Sequence, residues 1–130
     1  MKISYIDGFK FAIENRGLEV ITDQRSSEGA GEGLEPVEFL GAALGGCVAF
    51  YAVDYLRRNE LATDGFRVDI EWTGAVNPKR IGGFDVKVRL PGGLTDRQRA
   101  SLSRIVKACT VHKTLEHPPE IQVELVENAG

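Results

Sequence analysis

Only two cysteines occur in this 130-residue chain, Cys47 and Cys109. Two thiols are too few for a disulfide-dense secreted scaffold, and a chain of this length buries enough surface to fold without such staples. Basic residues are not in excess: 16 Lys and Arg stand against 19 Asp and Glu, a net charge of −3. That balance carries no electrostatic footprint for nucleic acid. It is also too weakly acidic to specify a partner. No run of about 18 charge-free apolar residues appears, so no membrane span is predicted. Met1 to Asp7 has no apolar signal-peptide core. The expected address is the cytoplasm, where thiols are mostly kept reduced. There is no internal repeat and no low-complexity tract. The length predicts a single domain over residues 1–130.

The first 23 residues read as strands. Phe9, Phe11 and Ile13 alternate with Lys10, Ala12 and Glu14, the period of a half-buried strand. Asn15-Arg16-Gly17 is a turn signal, and Leu18 to Thr22 is the partner strand. Residues 24–35 are rich in Gly and Ser and read as a long loop, either functional or mobile. Residues 36–60 then read as one helix, with Pro36 at its first position. Phe39 to Val53 carries only Gly and apolar residues, which predicts a helix buried on all sides. Gly41, Gly45, Ala49 and Ala52 share one stripe, the expected seat of a closely packed second helix from another copy of the chain.

Phe66, Val68, Ile70 and Trp72 alternate with polar residues, as do Phe84, Val86, Val88 and Leu90. Joined by the turn at Asn77 to Arg80, they predict a hairpin. Thr95 and Gln98 match a capping box, after which Leu102, Ile105, Val106 and Cys109 fall on one helix face. His117-Pro118-Pro119 ends any helix. Ile121, Val123 and Leu125 predict a last strand. The class is α+β, with a mostly antiparallel sheet wrapping a long central helix.

Both cysteines therefore lie in stretches that read as buried helix. One reading makes them inert core filler, since free cysteine packs as a small hydrophobe. The other makes them a reactive pair. The thiolate is the reactive species, and burial disfavours it. Cys47 is about three turns into its helix, beyond strong help from the helix dipole. Ala43, Tyr51 and Asp54 on its own face supply no positive charge. A reactive Cys47 thus needs a cation from another segment, and the 24–35 loop offers Arg25. Cys109, His112 and His117 can also be read as metal ligands. Their spacing matches no structural zinc pattern and a fourth ligand is missing, so no metal is expected.

Two motifs resemble the OsmC/Ohr family of thiol-dependent peroxidases. One is the run from Pro36 to Cys47, and the other is Cys109-Thr110-Val111-His112-Lys113-Thr114-Leu115. The order of elements is similar too, so the likeness spans nearly the whole chain. The resemblance implies an OsmC-like fold and an intertwined homodimer with its long helices crossing at the centre. It implies a cycle in which Cys47 attacks the O–O bond of an organic hydroperoxide or hydrogen peroxide and becomes a sulfenic acid. Cys109 then forms a disulfide with it, and a dithiol, in some members a lipoylated protein, reduces the pair. No cofactor is implied. The family's activating arginine and glutamate point to Arg25, with Arg16 as the other arginine candidate, and to Glu38.

The peroxidase members place that glutamate directly after the proline, where this chain has Val37. Glu38 is rotated by about 100° from that position. If Glu35 caps the helix, Glu38 simply complements the helix N-terminus. Thr110 and His112 stand where the family has proline and serine. His112 is then either a base near Cys109 or a polar helix residue. This pattern is more similar to the OsmC-like branch, which leaves a small-ligand-binding or redox-sensing protein as the alternative. A third reading is an interaction module whose cysteines only pack.

Overall fold

The structure, a computed structural model, describes residues 1–26 and 28–128. Ser27, within the expected loop, lies outside the described residues. The order is β1 (Lys2–Asp7), β2 (Lys10–Asn15), β3 (Leu18–Thr22), α1 (Pro36–Arg58), β4 (Arg67–Ala75), β5 (Arg80–Arg89), α2 (Asp96–Lys107) and α3 (Thr110–Glu116). Strands β1–β2–β3 form one antiparallel sheet and β4–β5 a second. Asn15 pairs with Leu18, leaving Arg16 and Gly17 as a two-residue turn with φ of 54° and 79°. Positive φ at both positions is what a tight hairpin of this length requires.

The β4–β5 hairpin aligns Val68, Ile70 and Trp72 opposite Val88, Val86 and Phe84. These side chains share one face, because alternate strand residues point the same way. That face lies on α1. A Cβ added at Gly41 would sit 3.3 Å from Cζ3 of Trp72, and one at Gly45 would sit 2.9 Å from Cγ1 of Ile70. The glycine stripe therefore receives the sheet of its own chain, not the second helix expected there. The signal for close approach was sound, but any bulky neighbour satisfies it.

Helix α1 buries Gly41, Leu44, Gly45, Val48, Ala52 and Leu56. These recur every three or four residues and meet the hairpin, α2 and α3. The expectation of burial on all sides is not met within one chain. Val37 and Leu40 are exposed, and Phe50 is 67% exposed. Hairpin and helices cover one side of α1 and leave the other open. By length and composition α1 is long and apolar enough to cross a membrane. Its packing against β4, β5, α2 and α3 marks it as a core helix instead.

The last strand is not formed. Residues 117–128 join no ladder, and Ile121, Val123 and Leu125 are 81%, 84% and 95% exposed. Alternation gives a segment two faces but no partner, and a strand exists only where another offers a free edge.

Candidate functional site

Cys47 lies half-buried at the middle of α1 and packs against Leu44, Val48 and Cys109. Cys109 reaches that place by a route its sequence pattern did not show. The α2 ladder stops at Lys107, and the last turn tightens as Ala108 N–H donates to Ile105 O at 3.0 Å. Cys109 turns extended, with φ −60° and ψ 143°, and becomes the N-cap of α3. Its sulfur accepts a hydrogen bond from His112 N–H at 3.2 Å. The expected position of Cys109 on the α2 face is thus corrected. A sulfur that can cap a helix ends one element and begins the next.

The two free thiols belong to one packed cluster, with Cys47 set against the core that holds Cys109. Cys109 is fully buried. Burial pushes its thiol above the ordinary value, the His112 N–H opposes this, and the Cys47 sulfur beside it raises it again. A second link joins the same segments. The hydroxyls of Tyr51, one turn beyond Cys47, and Thr110, next to Cys109, are 3.2 Å apart. In the sequence Tyr51 stands out only as a neighbour that supplies Cys47 no positive charge, so this clamp was missed. An aromatic with a polar tip in an apolar run was the available signal.

Arg25 and Glu38 also meet, but elsewhere. The Arg25 guanidinium contacts Glu35 Oε1 through Nε at 3.0 Å and Glu38 Oε1 through Nη2 at 3.2 Å. Arg25 N–H donates to the same Glu35 oxygen at 3.0 Å. The Arg25 hydrogen bonds hold the Glu35 carboxyl below its usual range. The other oxygen of Glu38 accepts from Glu35 N–H at 2.8 Å, so Glu38 caps the helix start. Nine helical steps lead from Glu38 to Cys47, about 13 Å along the axis. Within one chain, therefore, Cys47 joins Cys109 and Arg25 joins Glu38, and the two pairs stay apart. Arg16 sits in the β2–β3 turn.

The loop that holds Arg25 is built on a residue the sequence reading did not single out. Asp23 is almost fully buried at the end of β3. Its carboxylate accepts from Gln24 N–H at 2.8 Å and Glu32 N–H at 3.1 Å. These donors, Glu32 first, hold its carboxyl below the ordinary range. Thr22 donates to Leu34 O at 2.8 Å, and Lys10 pairs with Glu32 at 2.6 Å. An aspartate opening a Gly- and Ser-rich loop was the signal, since Asx side chains organise turns.

His112 Nε2 is 3.0 Å from Glu116 Oε1, which places a carboxylate on its ring. Among the described residues, no three His, Cys, Asp or Glu side chains converge as metal ligands would.

A family model described as OsmC-like protein matches residues 29–124, more than half of the chain. A protein from Psychrobacter arcticus 273-4, described in terms of osmotic stress induction and detoxification response, is similar in structure. Its TM-score is 0.78 at 22% identity, covering 87% of this chain and 85% of that one. An OsmC-like protein from Mycoplasma pneumoniae superposes with a TM-score of 0.68 at 14% identity, covering 84% and 80%. No curated protein sequence matches the chain.

Proposed function

Because this chain belongs to the OsmC-like family, we propose that it is a thiol-dependent peroxidase acting on organic hydroperoxides or hydrogen peroxide. The observation that carries this reading is the packing of half-buried Cys47 into the cluster that holds buried Cys109, from segments 62 residues apart. In the proposed cycle the Cys47 thiolate attacks the terminal peroxide oxygen. The O–O bond breaks, the alcohol leaves with a proton, and Cys47 is oxidised to a sulfenic acid. The Cys109 sulfur then displaces the sulfenic hydroxyl. That hydroxyl and the Cys109 proton leave as water, and an S–S bond remains. A dithiol reductant, small or carried on a lipoylated protein, returns both thiols by exchange. The working compartment is the cytoplasm, and neither nucleic acid nor membrane takes part.

The same reading makes the protein a homodimer with Arg25 and Glu38 completing the site across the interface. Three features support this. The open side of α1 is apolar, the tail from Ile121 to Val126 has a strand pattern without a partner, and Arg25 is held at Glu38, about 13 Å of helix rise from Cys47 in its own chain.

The absence of a cation on either thiol among the described residues favours, as the second reading, a redox-sensing or small-ligand-binding protein. Peroxide consumption with a dithiol reductant decides between them. The peroxidase reading expects turnover of alkyl hydroperoxides that Cys47→Ser abolishes. Equal inactivity of both proteins refutes it.

A further inference from the structure

A disulfide forms only within narrow limits of distance and direction. Packing sets Cys47 against the cluster that holds Cys109, but apolar contact is non-directional and fixes no register between their two segments. The start of α3 must therefore be held on α1 by something else. Burial of α3 itself does not supply it. The helix has seven residues, none of them buried, and residues 117–128 beyond it join no ladder.

One directed contact ties this start to α1. The hydroxyls of Tyr51 and Thr110 stand 3.2 Å apart, and among the described residues this is the one side-chain hydrogen bond between α1 and α3. Tyr51 follows Cys47 by four residues, so both lie on one face of α1, about 6 Å apart along the axis. Thr110 follows Cys109 directly, with about 3.8 Å between their Cα atoms. The hydroxyl pair and the thiol pair are thus neighbouring contacts between the same two segments. The Tyr51 ring packs against the cluster that holds Cys109, which makes its hydroxyl a fixed post. A bond with a preferred direction at that post limits slide and rotation at the sulfurs beside it.

We infer that Tyr51 and Thr110 are positioning residues for the Cys47–Cys109 disulfide, their hydroxyl pair holding the start of α3 in the register in which the two sulfurs can join. This rests on the two-cysteine cycle proposed above and adds two residues to it. The coupling is reciprocal: what the hydroxyl pair adds to disulfide formation, the disulfide adds to the hydroxyl pair. A neutral hydrogen bond of ordinary net strength sets its size at about fivefold in the equilibrium constant.

The test is the redox equilibrium of the full chain in mixtures of oxidised and reduced dithiothreitol, quenched with acid and read by mass spectrometry after alkylation in denaturant. The two protein thiols give up two protons and two electrons and gain one S–S bond. The S–S bond of oxidised dithiothreitol breaks and takes them up, so no peroxide is involved. Tyr51→Phe keeps the ring, Thr110→Val keeps the branched Cβ, and each removes one hydroxyl. Each is expected to make the disulfide about fivefold less favourable, a rise of about 20 mV in its reduction potential. Thr110→Ser, which keeps a hydroxyl, should match wild type. Tyr51→Phe combined with Thr110→Val should lose no more than either alone, because both remove the same bond. An unchanged potential in both single variants overturns the proposal and leaves the two-cysteine cycle standing, as does a double variant that loses the sum of the two. A wild-type protein that forms no disulfide at any ratio overturns the cycle and the proposal together. Should Tyr51→Phe not fold, Thr110→Val against Thr110→Ser decides: equal potentials refute the role of the hydroxyl.

Discussion

Gly45→Ala measures the seam that positions the thiol helix. The new Cβ would stand 2.9 Å from Cγ1 and 3.3 Å from Cδ1 of Ile70, and 3.9 Å from Cγ1 of Val68. Cγ1 of Ile70 is one bond from a strand-anchored Cβ, so it cannot swing aside without a rotamer change. Overpacking of this kind costs about 1–3 kcal/mol. Alanine returns about 1 kcal/mol through its better helix propensity. The net expectation is a loss of roughly 1 kcal/mol, with an upper bound near 2. Ile70→Ala removes the atoms in conflict, so Gly45→Ala in that background should cost nothing or stabilise. A coupling of about 1–2 kcal/mol is expected from the double-mutant cycle. Urea denaturation at one fixed protein concentration reads all four proteins. If Gly45→Ala is more stable than wild type in the presence of Ile70, the hairpin does not rest on this turn of α1. The account of the glycine stripe is then wrong.

Iodoacetamide should label half-buried Cys47 well before fully buried Cys109, as mass spectrometry of partly modified protein would show; equal labelling contradicts the burial order. The raised Cys109 pKa also fixes a sign. The unfolded thiol ionises first as pH rises, so Cys109 makes stability fall from its ordinary pKa towards its folded one, and Cys109→Ser should remove that alkaline loss. Asp23 acts oppositely. Its folded pKa is depressed, so its contribution is present above the unfolded carboxyl value and is lost as pH falls through the folded one. Asp23→Asn should destabilise the loop at neutral pH and flatten acid unfolding, and an unchanged acid transition would count against the buried carboxylate. Phe50→Glu places a charge on the open face of α1 and should convert the proposed dimer to monomer in analytical ultracentrifugation. A mass equal to that of wild type refutes this face as the interface.

Local patterns made the elements legible and left their partners unread. The capping box at Thr95 and Gln98 is present as written, with Gln98 N–H donating to Thr95 Oγ1 at 3.2 Å. Pro36 opens α1 with Glu35 as its cap. Both signals act within four residues, where sequence distance and spatial distance agree. Cys109 shows the limit. Its i+7 spacing from Leu102 is a helical signal, but two tertiary facts outweigh it: its sulfur can cap α3, and burial against α1 rewards the break. The tail at Ile121 to Leu125 shows the same limit in reverse, a correct period with no edge in its own chain to receive it. For the site, the cysteine pairing was readable only through resemblance. Asp23 and the Tyr51–Thr110 clamp were not readable, because each depends on contacts that local spacing does not encode.

The separation of the two site halves carries its own geometric argument for a second copy. Cys47 stands at the midpoint of α1, Pro36–Arg58, while Glu38 and its Arg25 stand at one end. No rotation of one helix about its axis can shorten the rise of about 13 Å between them. A two-fold axis can. If it crosses the open face of α1 between Ala42 and Ala43, residue 38 of one helix comes opposite residue 47 of the other. Ala42, Ala43 and Gly46 are exposed, and a Cβ added at Gly46 would meet no atom within 4 Å. Side chains this small let two helices approach closely, and they occupy the stretch such a crossing needs. The glycines at 41 and 45, by contrast, are already filled by Trp72 and Ile70. One helix thus carries two small-residue stripes: the first seats its own hairpin, and in the proposed dimer the second is where a symmetric partner would bring a guanidinium towards the thiol.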